Sequence, residues 1–271
     1  MNIENFRNEV LNKERFEFGN NWKNFQKNLN DYRIKEAENS LKEMLKVKNL
    51  ECKTFLDIGS GSGLFSLAAR NLGANVTSFD YDENAVWCTS ELKSRFYHQD
   101  KKWKIMQGSV LDKNFLSTLS KFDYVYCWGV LHHTGDMWAA LENIRYLVNT
   151  KGNLFISIYN KQQIASKYWA FVKKTYNRYK FLRPILILIH FLYPALPSLI
   201  LKFINKRKIP RGMTMWHDLI DWVGGYPFEV STPSEIFKFY KSKGFILSEL
   251  KTVGGKHGCN EFVFYLDDKK I

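Results

Sequence analysis

Three groups of side chains in the 271-residue chain have types and spacings that could do chemistry. The stretch FLDIGSGSG, Phe55 to Gly63, ends an apolar run in Asp57 and then sets glycines at 59, 61 and 63, with Ser60 between the first two. Glycines so placed let backbone N–H groups approach a ligand with no Cβ in between, and a helix opening directly after them adds its positive end. A second acid, Asp80, closes the next apolar run 23 residues after Asp57, where a carboxylate can take both hydroxyls of a ribose. Loop and acid together describe a nucleotide-type cofactor site. A dinucleotide fingerprint would need a glycine at position 64, where Leu64 stands. By itself the loop would serve equally as a tight strand-to-helix turn with no ligand, so its weight comes from Asp57, Asp80 and the strands around them.

The third group is histidine. His132 and His133, in GVLHHTGD, follow an apolar run, and imidazole, with an unperturbed pKa of about 6.5, exchanges protons near neutrality. One or both can act as a base; either can merely bond its own loop. His217 lies in MWHDLIDWVGGYPF with Asp218, Asp221, Trp222, Tyr226 and Phe228, which would wall a planar or apolar acceptor; the competing reading is a surface helix whose tryptophans pack on a sheet. His257, between glycines, reads as a loop residue. Cys52, Cys88, Cys127 and Cys259 lie far apart with no zinc-type spacing, so core thiols are expected, with neither disulfides nor a metal.

These residues need a frame to bring them together. Strand-like runs occur at Lys53 to Gly59, Asn75 to Asp80, Trp103 to Gly108, Phe122 to Gly129 and Asn153 to Tyr159, separated by helical stretches such as LFSLAARNL and MWAALENIRYLV. That alternation predicts a parallel sheet with helices on both faces, and ligands bind at the carboxyl edge of such sheets. After an interruption, Gly244 to Thr252 and Asn260 to Leu266 close the sheet. Two helical pieces are expected ahead of it, one over Asn24 to Val47 and an aromatic entry, Arg15 to Phe25, that brings Trp22 to the pocket. Thr232 or Ser234 caps a helix that begins with Pro233 and Glu235.

FLDIGSGSG, VTSFDYDENAV, MQGSVLD and FDYVYCWGVLHHTGD, in that order between Lys53 and Tyr159, resemble motifs I to IV of the class I S-adenosylmethionine-dependent methyltransferases. The resemblance implies an α/β fold, a doubly wound Rossmann-like sheet of seven strands with N-terminal helices and a helical cap inserted after strand five. It implies S-adenosylmethionine as cofactor, held by Asp57, Gly59, Ser60, Gly61, Gly63, Asp80, Tyr81, Ser109, Val110 and Trp128, with Asp112 nearby and Ser109 standing where an Asp is common. The segment from Arg211 to Phe245 is similar to the ubiquinone-biosynthesis O-methyltransferase branch. This implies O-methylation, with His132, His133 and His217 as catalytic candidates and Trp22, Asp218, Asp221, Trp222 and Tyr226 around the acceptor. In-line displacement mainly needs alignment, and a hydroxyl acceptor gains from a base. That branch carries a Glu-x-x-Glu-His loop associated with a divalent metal; here Gly129, His132 and His133 stand in its place, and no metal is expected without the carboxylates.

The net charge of +13 has one owner. Lys161 to Arg211 holds twelve basic residues and no acid, while the rest of the chain carries 28 basic against 27 acidic side chains. Inside it, Pro194, Pro197 and Lys202 interrupt an apolar run that would otherwise be long enough to cross a bilayer. Two short helices are expected instead, Pro184 to Tyr193 and Ser198 to Asn205, which cap the pocket, dip into an anionic membrane surface, or do both. The resulting organisation is an N-terminal lid (1–50), a cofactor core (51–160), the basic insert (161–211) and a pocket segment with the final strands (212–271). An N-terminus with no apolar run points to the cytoplasm, at the inner membrane face if the insert docks there. The leading expectation is methyl transfer to a hydroxyl of a quinol, a phenol or a glycolipid sugar. A nucleic-acid methyltransferase would use the basic aromatic segment, but the strand-four loop lacks an Asn/Asp-Pro-Pro-aromatic signature and no Pro precedes Cys127. A non-catalytic cofactor-binding protein is the third reading.

Overall fold

The computed structural model describes residues 3–26, 29–192 and 215–267, with all side chains except those of residues 3 and 215–218. Its frame is one sheet of seven strands: β1 (Thr54–Ile58), β2 (Asn75–Asp80), β3 (Trp103–Gln107), β4 (Phe122–Trp128), β5 (Val148–Tyr159), β6 (Phe245–Lys251) and β7 (Cys259–Leu266). The order is β3-β2-β1-β4-β5-β7-β6, and only β7 runs against its neighbours. Both faces are apolar because side chains alternate along each strand. Leu56, Ile58, Val125, Cys127, Leu154 and Ile156 enter one core, with α7 (Met137–Arg145) and α11 (Pro233–Lys241) above them. Phe55, Tyr126, Phe155 and Val263 enter the other, against α3 (Asp31–Leu45), α4 (Leu64–Asn71) and α5 (Glu83–Phe96).

The chain runs outward from β1 to β3 and then returns to place β4 beside β1. Successive crossovers therefore leave in opposite directions at the carboxyl ends of β1 and β4, which opens the crevice where such sheets bind ligands. Helix starts are fixed locally. Asp82 caps α5, Asp112 caps α6 (Lys113–Ser117), and Thr232 with Glu235 forms a capping box on α11.

Three details differ from the sequence expectation. The N-terminal part holds three helices, α1 (Ile3–Leu11), α2 (Gly19–Gln26) and α3, because Asn30 adopts an extended backbone and its side chain accepts from the Arg33 N–H, which starts a new helix. Strand β5 begins at Val148, pairing with Phe122 before the register shifts at a bulge near Lys151, whose φ is +63°. Cys52 is exposed, not a core thiol; Cys88 and Cys127 are buried, Cys259 is half-buried, and all four are free.

The basic insert begins with α8 (Gln163–Arg178), followed by α9 (Arg183–His190), which corresponds to the first expected short helix; the second, Ser198 to Asn205, lies outside the described residues. Helix α10 (Met215–Gly224) packs on α8 and α9. Trp169, Val172, Tyr176, Leu219 and Val223 form a separate apolar cluster between these helices. Among the described residues no helix is long and apolar enough to cross a membrane.

Candidate cofactor and acceptor site

At the end of β1 the backbone enters the left-handed region at Gly59, Gly61 and Gly63, with φ of +71°, +53° and +80°. Only glycine takes this conformation freely, and at Gly63 a Cβ would come within 2.9 Å of the Thr89 backbone. The Gly59 N–H donates to the Phe79 carbonyl at 2.8 Å and the Ser60 hydroxyl pairs with that of Thr89 at 2.9 Å, so the loop is tied to β2 and α5. Asp80, at the tip of β2, accepts from the Gly61 N–H and from the Asp82 N–H, each at 2.9 Å. Burial, and then the neighbouring Asp82 charge, push its carboxyl up to about 7. A carboxylate so short of solvation gains strongly from further donors such as a ribose diol. A Cβ at Gly129, at the end of β4, would meet nothing within 4 Å. The loop, the acid and this open position fit an adenosyl cofactor laid across the end of β1.

The other residues expected around the cofactor have partners within the protein. Asp57 is 2% exposed and accepts a hydrogen bond from Ser66 at 2.5 Å; Ser66 pairs with Ser78, which also accepts from the Trp103 indole. Burial pushes Asp57 up to about 6, and its carboxylate locks α4 onto β1 and β2. The Tyr81 hydroxyl donates to Glu9 at 3.1 Å, and its ring packs on Phe6. Burial first, then the Glu9 charge, push Tyr81 up to about 12. Ser109 and Val110 are buried beyond β3, where the Asn143 amide donates to the Val110 carbonyl at 3.0 Å. The Trp128 indole donates to Glu261 across the sheet at 3.0 Å.

The N-terminal residues close over the loop. The Gly19 N–H donates to Asp82 at 2.7 Å, the Trp22 ring would lie 3.0 Å from a Cβ on Gly61, and the Gln26 amide donates to the Ser62 and Cys88 carbonyls. Asn21 donates to Asp221 at 2.6 Å, and the Phe16 N–H donates to the Tyr226 carbonyl at 2.8 Å. Arg15, paired with Glu9, donates to the His133 and Thr134 carbonyls at 2.7 and 3.1 Å. Among the described residues, open clefts of about 610 Å3, beside Lys23 and Trp87, and about 940 Å3, beside His98 and Trp103, lie outside this closed region.

Both histidines after β4 are buried. His133 Nδ1–H donates to the Pro227 carbonyl at 2.7 Å, which leaves Nε2 as the ring's acceptor. Burial, and then the charge of Lys173, lower His133 to about 3, so the ring is neutral. The Tyr159 N–H donates to His132 Nδ1 at 3.3 Å, and His132 Nε2 has no hydrogen-bond partner among the described residues. Burial holds His132 neutral too. The rings form a continuous wall: Phe18 lies 4.9 Å from His133, Tyr159 3.8 Å from His132, and Trp222 and Phe228 lie 5.3 and 5.4 Å from Tyr159. Trp222 reaches His133 through Tyr159, Asp221 and the Tyr226 backbone are bound to the N-terminal residues that also reach the His133 carbonyl, and the side chains of His217 and Asp218 lie outside the described residues. His257 lies in the loop before β7, as expected, with its ring 5.8 Å from Trp222.

Four functional neighbours escaped the sequence reading: Arg15, Asp82, Tyr159 and Lys173. Only Lys173 left a signal. Trp169, Val172, Lys173, Tyr176 and Asn177 recur at helical spacing, which sets a lysine in the buried stripe of α8. Arg15 acts across the fold and carries no local pattern, and the local signal at Asp82 is that of a helix cap, not of its bond to Gly19.

Comparison with known proteins agrees with this fold. The family model described as Methyltransferase domain matches residues 29–194. The ubiquinone biosynthesis O-methyltransferase of Glaesserella parasuis serovar 5 is 28% identical over 155 residues, 51% of this chain and 63% of that protein. The ribosomal protein L11 methyltransferase of Helicobacter hepaticus is 36% identical over 84 residues, 31% of this chain and 25% of that protein. The chain thus spans less than two thirds of the length of either relative. Among solved structures, the magnesium protoporphyrin IX methyltransferase of Synechocystis PCC 6803 with bound SAH has a TM-score of 0.52 at 15% identity, over 86% of this chain and 83% of that one. The cyclase SpnF has a TM-score of 0.54 at 9% identity, over 86% and 80%. Identities this low show a shared fold, and a fold hosts more than one reaction.

Proposed function

Because the chain belongs to the methyltransferase-domain family and its cofactor is S-adenosylmethionine, we propose that it transfers the methyl group to a hydroxyl oxygen of a small planar acceptor, a phenol or a quinol. The observation that carries this reading is the state of His133: a neutral ring, tied at Nδ1 to Pro227, with Nε2 left as an acceptor and the rings of Phe18 and Tyr159 beside it. The relatives named for O-methylation support it.

When bound, the cofactor supplies a methyl group made electrophilic by a sulfonium. Asp80 would hold the ribose hydroxyls, and the glycine loop, with no Cβ in the way, would hold the rest. Nε2 of His133 accepts the hydrogen bond of the acceptor's hydroxyl and so aims its oxygen at the methyl. At about 3, the imidazole removes little proton from an unreacted hydroxyl. As the oxygen bonds to carbon its proton becomes far more acidic than an imidazolium, and the neutral ring then takes it. The closed N-terminal residues exclude water from this step.

The outer side of the insert supports an acceptor with an apolar tail, drawn from an anionic membrane surface. Ile164, Phe171, Phe181, Ile185 and Leu188 are exposed there beside Lys167, Lys174 and Arg178.

Labelled S-adenosylmethionine incubated with panels of phenols, quinols and amines tests the reaction. Label is expected on oxygen, and His133→Gln is expected to lower turnover about a hundredfold with SAH affinity unchanged. Label on nitrogen alone, or an equal loss of binding and turnover, would refute the assignment.

A further inference from the structure

One buried charge near the site has no part in the steps above. Lys173 is wholly buried on the inner side of α8. Its ammonium donates to the Trp222 carbonyl and sits over the rings of Trp222, Phe228 and Tyr159 at 4.8, 4.9 and 5.9 Å. One helical turn on, the Asn177 amide donates to the Gly224 carbonyl at 2.6 Å. The two side chains thereby occupy carbonyls at the end of α10 that helix geometry leaves open, and a cation is favoured at that end of a helix dipole. The turn directly after α10 is the one that holds His133. A Cβ on Gly225 would stand 3.0 Å from His133 Cε1, and two residues later the Pro227 carbonyl accepts the His133 Nδ1–H.

We propose that Lys173 is a positioning residue of the acceptor site: by fixing the last turn of α10 and the Gly225–Pro227 turn behind it, its ammonium sets the tautomer and direction of the His133 ring. A capping role alone would not require a lysine in an apolar stripe, where a buried ammonium is costly. The charge also acts on the rings directly: it lowers the proton affinity of His133 second only to burial, and that of His132 after burial and His133. Burial brings Lys173 itself down to about 7, while Asp221 on α10 and Cys259 on β7 favour its proton. Tyr159 on β5 and the two histidines face it from the sheet edge, and Arg15 faces His133 from the N-terminal segment. The inference rests on His133 being the acceptor-side histidine.

Nuclear magnetic resonance of the full chain, with nitrogen-15 in histidine and carbon-13 in lysine, tests it from pH 5.5 to 9 with no acceptor present. The wild-type protein is expected to show His133 as the neutral Nδ1–H tautomer throughout. Lys173→Met is expected to mix the two tautomers of a ring that burial, the main cause, still keeps neutral over this range. Lys173→Gln, a donor without charge, is expected to keep the wild-type tautomer. A folded Lys173→Met protein with an unchanged His133 overturns the proposal. Should both variants fail to fold, the wild-type protein decides: the Lys173 Cε resonance should titrate near 7 and the His133 Nδ1 resonance should move with the same midpoint, whereas a His133 signal that stays flat through it overturns the idea. Because these signals need no methyl transfer, either proposal can fail while the other stands.

Discussion

Asp80 carries the most exposed consequence of the site reading. It holds two backbone N–H groups already, and burial keeps its proton affinity near neutrality. Replacement by Asn removes one acceptor oxygen and the charge, so SAH affinity is expected to fall about 10- to 100-fold, the range for a charge-assisted hydrogen bond. The same acid makes binding depend on pH. If the ribose hydroxyls bond the ionised form, SAH affinity rises about tenfold from pH 6 to pH 8 as Asp80 loses its proton through about 7. Calorimetry at the two pH values checks this, and equal affinities would remove Asp80 from the cofactor site.

At the scale of the elements, α8 has two working sides. Its inner stripe, Trp169, Val172, Lys173 and Tyr176, packs toward α10 and the rings of Tyr159 and Trp222, while Ile164, Lys167, Phe171 and Lys174 face outward. Helix-surface phenylalanines beside lysines bind an anionic bilayer through both apolar area and charge. In flotation experiments the protein is expected to rise with vesicles containing phosphatidylglycerol and to stay behind with phosphatidylcholine alone. Phe171→Glu with Phe181→Glu should abolish the difference; a wild-type protein that floats with neither kind of vesicle has no such surface. Helix α11 gives a plainer case. Thr232 accepts from the Glu235 N–H at 3.2 Å and Glu235 accepts from the Thr232 N–H at 2.8 Å, so Thr232→Ala should lower unfolding stability by about 1 kcal/mol with SAH affinity unchanged. Urea denaturation measures it.

Across the whole molecule, buried titrating groups oppose one another. Asp57 and Asp80 lie at about 6 and about 7 when folded, against about 3.9 unfolded, so their contribution is full below about 4 and is lost as pH rises through those folded values. His132 and His133 are lowered, so their contribution is lost as pH falls below about 6.5. The two effects nearly cancel in mild acid. Lys173, at about 7 folded and about 10.4 unfolded, leaves the unfolded chain holding more protons between those values, so stability rises with pH there, by at most about 1.4 kcal/mol per pH unit. The buried Cys88 and Cys127 thiols, pushed up by burial, oppose this as pH rises past about 8.5, so the urea midpoint is expected to fall more steeply from about pH 7.5 to 9.5 in Lys173→Met than in the wild-type protein. Equal slopes in the two proteins would place Lys173 in solvent.

The strands, the glycine turn, Asp80 at the tip of β2 and the two histidines after β4 were all legible in the order of residues. Each depends on local physics: a period of two along a strand, a positive φ that glycine alone tolerates, a cap one turn from its partner. Where side chains point, and which of them titrate, was settled by packing. Asp57 and Asp80 are both strand-end acids, yet one is sealed against Ser66 and the other reaches the glycine turn. Tyr81 faces Glu9 and Trp128 faces Glu261, partners 72 and 133 residues away. The helical spacing around Lys173 held a signal of burial that the sequence reading passed over, and its partners come from α10 and the sheet edge. Hydrogen bonds and desolvation depend on neighbours from distant parts of the chain, so they become definite only once those parts have packed together.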